Sequence, residues 1–203
     1  DLERDAAGNL YTTDGDRVIK YAPDRTVIWA TNLPDAWNIE IDAEGNVYAS
    51  GDFFASPLTV AGASGNIVIP NYGRNDVYVV KLNSDGKALW GHSFGGADDD
   101  EPGGIAVDGQ GNVFVGGRFK QTATVGSNSF VSQGYADAFI AKINAAGTFE
   151  WGRQIGGNSW SAVTTLDVDP AGNLYLTGTY DEGITFLGGG NVTLPDAPYY
   201  GAA

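Results

Sequence analysis

The 203-residue sequence has no cysteine and no methionine, a single histidine, and only 11 lysines and arginines against 25 aspartates and glutamates. Without cysteine there is no disulfide framework, no thiolate nucleophile and no thiolate metal site; the redox compartment stays open, because extracellular proteins also lack cysteine at times. The formal net charge of −14 opposes a phosphate backbone or an anionic lipid surface, both of which need clustered cations. Nucleic acid and membrane are therefore not expected partners. No run approaches the roughly 18 apolar residues of a bilayer-spanning helix. A chain with no initiating methionine is expected to be processed or part of something longer.

What is present is a repeat. Lys20, Lys81 and Lys142 stand 61 residues apart, as do Trp29, Trp90 and Trp151. Each pair belongs to one stretch, Asp16 to Trp29, Asp76 to Trp90 and Asp137 to Trp151, which reads as two alternating strands around a turn. A second motif, Asp-x-x-Gly-Asn followed by apolar and aromatic residues, begins at Asp5, Asp42, Asp108 and Asp169. It is expected to join two further strands, with Gly-Asn taking the positive-φ positions of a tight hairpin.

Hydrophobic residues make up 42% of the chain, enough for a packed core. With four short antiparallel strands a, b, c and d per repeat and no helical periodicity, the expected fold is all-β, a β-propeller of four-stranded blades. The expected boundaries are about 1–33, 37–94, 103–156 and a partial 161–203. The first blade is read as strands b, c and d only, so about three and a half blades are present. A ring needs four to eight, which implies a larger ring completed by more chain or by another copy. The b-to-c connections from Phe54 to Asn75, from Lys120 to Ala136 and from Asp181 onward are read as small extra hairpins projecting from one face.

The run Gly103-Gly104-Ile105-Ala106-Val107-Asp108-Gly109-Gln110-Gly111-Asn112-Val113-Phe114-Val115-Gly116-Gly117-Arg118-Phe119, with Asp137-Ala138-Phe139-Ile140-Ala141-Lys142-Ile143, Trp151 and Gly156-Gly157, resembles the bacterial SBBP-type β-propeller repeat. The likeness spans about Trp37 to Tyr180. Blade 1, with Asp16-Arg17-Val18-Ile19-Lys20-Tyr21, looks more like the general NHL or quinoprotein-like propeller pattern. The resemblance implies a secreted or cell-surface bacterial protein and brings no catalytic residues with it.

Candidate sites lie in what does not repeat. Asp98, Asp99, Asp100 and Glu101 concentrate carboxylates that could hold calcium, although their contiguous spacing differs from the alternating ligands of a calcium loop and equally fits a solvated acidic turn. The four Asp-x-x-Gly-Asn motifs are read as turns. Trp37 and Trp160, each just before a strand a, and Tyr135, Tyr199 and Tyr200 in b-to-c connections offer exposed rings for stacking on sugars or gripping a protein; packing is their other use. Trp90 and Trp151 are read as blade-to-blade packing. His92 has no nominated nucleophile and is read as a strand residue near a blade edge. Asn191-Val192-Thr193 fits the glycosylation acceptor pattern.

The expected function is a non-catalytic surface module that binds protein or carbohydrate or serves assembly, with no required cofactor. The alternative is a lyase or hydrolase working in the central channel. A quinone-dependent dehydrogenase ranks last.

Overall fold

In a computed structural model, which describes residues 1–187 and the strand 192–194, no described residue is helical. Four antiparallel units follow one another along the chain. The first is a meander of β1 (Leu2–Arg4), β2 (Leu10–Thr13), β3 (Arg17–Tyr21) and β4 (Val27–Asn32), paired in that order. The second is β5 (Ala36–Ile41), β6 (Val47–Phe54), β9 (Asn75–Leu82) and β10 (Ala88–Gly96), with the hairpin β7 (Leu58–Val60) and β8 (Ile67–Ile69) between β6 and β9. The third is β11 (Glu101–Val107), β12 (Val113–Phe119), β15 (Asp137–Ile143) and β16 (Phe149–Gly157), interrupted by β13 (Thr122–Val125) and β14 (Asn128–Val131). The fourth contributes β17 (Ser161–Val168) and β18 (Leu174–Tyr180), then β19 (Ile184–Leu187) and β20 (Val192–Leu194).

Two expectations change. The first unit has a strand a after all: Leu2 to Arg4 pair with Thr12 to Leu10. With one apolar residue in three, that strand lacks the alternation that marks the others, and its place comes from the ladder. Two of the three inserted hairpins also do not project. β13 pairs with the outer edge of β10, Phe94 opposite Val125, and β19 pairs with β16, Ile155 opposite Phe186. Each therefore adds a fifth and a sixth strand to the preceding sheet. The first hairpin makes no such ladder with β4. Position 34, which corresponds to Gly95 of β10, is a proline, and proline has no N–H to give.

The core lies between units. Tyr11 and Val18 of the first unit pack with Val47, Tyr78 and Val80 of the second. Val77, Val79 and Phe94 meet Val115, Phe119 and Phe139 in the same way. A third cluster joins Ile140 and Ile155 to Val163 and Leu166. Fully burying side chains of this size stabilises by about 1.5–3 kcal/mol each, so a unit alone would leave its faces in water.

The periodic residues have definite work here. Trp29 Nε1 donates to the Ser84 carbonyl at 2.8 Å and Trp90 Nε1 to the Ala145 carbonyl at 3.4 Å, in each case across to the next unit's c-to-d turn. Each Asp-x-x-Gly-Asn carboxylate closes its own turn. Asp42 accepts from the Asn46 N–H at 2.8 Å, from Asn46 Nδ2 at 2.7 Å and from the Tyr48 hydroxyl at 3.0 Å. Lys81 lies 3.8 Å from that carboxylate and 4.7 Å over the Tyr48 ring. Burial pushes the Asp42 carboxyl up, but those bonds and the Lys81 charge together hold it below the usual value. Only the glycine of each Gly-Asn pair takes positive φ, 86° at Gly8 and 77° at Gly45 for example; the asparagine serves instead as a donor to the aspartate.

Candidate functional site

Strands a and c run away from the end that carries the d-to-a loops and the inserts, so the first residues of β5, β11 and β17 meet there. A groove of about 410 Å³ opens between them, lined by Trp37, Asn38, Glu101, Arg118, Trp160 and Thr164 among others. Trp37 is 61% exposed, and its indole N–H is oriented by Asp52 Oδ1 at 2.7 Å. Burial pushes the Asp52 carboxyl up, with Asp35 and Glu101 adding repulsion, even though the Trp37 bond works the other way. The Arg118 guanidinium lies 5.8 Å from the centre of the Trp160 ring, and its Nη2 donates to both Glu101 oxygens at 2.6 Å. Asn38 Nδ2 donates to the Gly103 carbonyl at 2.6 Å and ties β5 to β11. The result is a slot with an aromatic ring from the second unit at one side, one from the fourth at the other, and an ion pair from the third between them.

The remaining candidates are placed as follows. Tyr135, 70% exposed, stands beside the groove: its N–H donates to the Ser159 carbonyl at 2.6 Å, and Lys120 Nζ lies 5.5 Å over its ring. Tyr199 lies outside the described residues. The acidic run disperses, because neighbouring side chains diverge. Asp99 faces Arg74 at 3.4 Å and Lys120 at 3.9 Å, Asp100 turns inward to backbone N–H groups, and Glu101 holds Arg118. Beside them Asp98 completes the loop. Among the described residues, no three histidine or carboxylate side chains gather as a metal-holding group.

His92 is not in the groove. Its Nε2 lies 2.7 Å from the Gly147 carbonyl and its ring stacks with Phe94, so it clasps one unit to the next. Thr31 does the same one unit earlier, donating to the Gly86 carbonyl at 2.6 Å.

A set of acids escaped the sequence reading. Glu3, Glu40 and Asp167 occupy the same strand-a position, two residues before the turn aspartate, where the third unit has Ala106. Burial pushes Glu40 up to about 7, with Glu3 and Asp167 adding repulsion. The signal was available as a carboxylate at one fixed offset in three of the four copies.

Sheets of short antiparallel strands packed face to face in sequence order define an all-β repeat architecture. Residues 89–118, from β10 through most of β12, match the family model SBBP, a β-propeller repeat. The chain is also 22% identical over 207 residues to the uncharacterized WD repeat-containing protein L264 of Acanthamoeba polyphaga mimivirus, covering 86% of this chain and 15% of that protein. This is a β-propeller repeat protein. Its fold is similar to that of a protein of unknown function from Bacteroides caccae, at a TM-score of 0.51 and 11% identity over 92% of this chain and 55% of the other. A gluconolactonase from Xanthomonas campestris aligns at a TM-score of 0.32 and 17% identity, over 95% and 73% of the two chains, too remote to carry an argument. The chain thus spans about 15% of the curated relative and about half of the first structural neighbour.

Proposed function

We propose that this chain is part of a secreted or cell-surface β-propeller, about three and a half four-stranded blades of a larger ring, and that it binds carbohydrate without catalysis in the groove between Trp37 and Trp160. One observation carries the binding reading: two tryptophans from non-adjacent blades converge on a single groove that also holds Glu101 and Arg118. Sugars present apolar C–H faces that stack on indole and hydroxyls that bond to a carboxylate and guanidinium held in place. The net charge of −14 favours neutral or basic sugars over polyanions. A glycan array with the wild-type chain, Trp37→Ala and Trp160→Ala tests the site. Binding that both substitutions abolish supports it; binding that neither changes, or none at all alongside protein capture through another face, rejects it.

A further inference from the structure

Two carboxylates behind the groove are buried without a counter-charge of their own. Asp76 belongs to the start of β9 and Asp100 to the end of the loop before β11, and both are fully buried. Backbone N–H groups hold three of their four oxygens. Tyr72 donates to Asp76 Oδ2, Gly96 to Asp100 Oδ2 at 2.7 Å, and Lys120 to Asp100 Oδ1 at 3.0 Å. The fourth, Asp76 Oδ1, is buried and has no partner. It is a neighbour of Asp100, because a Cβ added to Gly95 would stand 2.1 Å from Asp76 Oδ1 and 2.6 Å from Asp100 Oδ2. Glycine at 95 is what leaves room for both.

Two buried charges of one sign at this range do not both ionise without cost. Burial pushes Asp76 up to about 6 and Asp100 up to about 7, the latter with repulsion from Asp76 and Asp98 added. A proton on Asp76 Oδ1, turned toward Asp100, would give the orphaned oxygen a partner and remove one charge in a single step. The three N–H donors aimed at the pair suit a carboxyl–carboxylate and disfavour a cation.

We propose that Asp76 and Asp100 share one proton and that the pair is a latch, operated by pH, on the loop that shapes the groove. Asp100 adjoins Glu101, whose carboxylate holds Arg118 over Trp160. The other charges around the pair are Asp98 and Asp99 on the same loop, Arg74 before β9 and Lys120 after β12; Arg74 and Lys120 are engaged by Asp99. Loss of the shared proton places two charges in the pocket. Withdrawal of Asp100 relieves them, which frees the Gly96 and Lys120 amides and moves Glu101. The importance of the latch rests on the groove being the binding site, but its operation is measurable with no ligand present.

The test is a side-chain carboxyl ¹³C titration, with amide exchange at Gly96 and Lys120, on the wild type, Asp76→Asn and Asp100→Ser. The serine variant copies Ser161, which stands at the same position in the fourth unit. In the wild type the two carboxyls should titrate as a coupled pair that keeps one proton to near neutrality, and protection of both amides should fall about tenfold between acid and alkaline pH. Both variants should lose that pH dependence, and Asp100→Ser reads the result if Asp76→Asn fails to fold. Ordinary carboxylate titration of both groups, protection independent of pH in the wild type, or calcium shifting both carboxyl signals would each overturn the proposal. A failed glycan array would leave these readouts unaffected, so the two ideas fail separately.

Discussion

Replacing Gly147 by alanine tests the packing between units directly. Gly147 closes the c-to-d turn of the third unit at φ 85°, and a Cβ there would lie 2.5 Å from Trp90 Cγ and 3.0 Å from Trp90 Cβ. Those atoms are at the base of the side chain, so no swing of the indole tip relieves the clash. The matched control is Gly45→Ala, in a turn with φ 77° whose nearest atoms are 3.8 Å and 3.9 Å away. An L-residue in this left-handed region costs about 1–2 kcal/mol at either position. Forcing a methyl into a packed contact adds about 1–3 kcal/mol, and the Trp90 bond to Ala145, worth about 1 kcal/mol, is at risk as well. Gly147→Ala should therefore be less stable than Gly45→Ala by about 2 kcal/mol. At about 2–4 °C per kcal/mol for a chain of this length, the melting temperatures should separate by several degrees. Urea unfolding followed by tryptophan fluorescence gives the free energies. Equal costs for the two variants would show that Trp90 does not sit on the turn in solution, and the account of the inter-unit core would be wrong.

Further expectations concern the clasp, the buried acid Glu40 and the groove. His92→Ala should cost about 1 kcal/mol through the lost bond to Gly147, whereas His92→Thr should stay near wild type because Thr31 makes that bond one unit earlier; thermal melts of the two variants decide. Glu40 has a folded-state pKa raised to about 7 from 4.5, so the folded chain binds the extra proton, and its stabilising effect is full below about 4.5 and lost as pH rises through 7. Melts from pH 4 to 8 should show that decline in the wild type and less of it in Glu40→Gln; identical curves would remove Glu40 as the cause. Trp37→Ala, at a site 61% exposed, should change stability by no more than about 0.5 kcal/mol while weakening glycan binding about tenfold or more, as measured by calorimetry.

The strands were legible because each repeats its alternation beside a turn whose chemistry is local. Asp42, Gly45 and Asn46 settle their hairpin among themselves, so five residues announce it. β1 was not legible, since Leu2-Glu3-Arg4 carries no pattern and is held by its neighbour. The destination of the inserts was hidden for a related reason: Val125 pairs with Phe94, and nothing in a hairpin's own sequence names the edge it will join. At the site, exposed rings were expected of Trp37 and Trp160 from a position just before strand a; Trp37 is exposed but stands within β5, and Trp160 is half-buried. Their meeting across Arg118 and Glu101 depends on how far one sheet turns relative to the next. In the acidic run, adjacency in sequence concealed that Asp99, Asp100 and Glu101 face three different ways. The partner Asp100 does have is Asp76, 24 residues earlier.

The pairing of β13 with β10 and of β19 with β16 puts the chain's structural modules out of phase with its sequence repeats. A sheet begun in one repeat is finished by residues that the ribosome adds well into the following one. Shuffling or trimming such a gene at the apparent repeat boundary would strip the cover from a sheet's outer rim and leave a hairpin with nothing to join. The outer strand of the first unit already lacks that cover, with Val27 and Ile28 more than half exposed on β4. In concentrated solution, that rim is where strand-to-strand aggregation between molecules should begin.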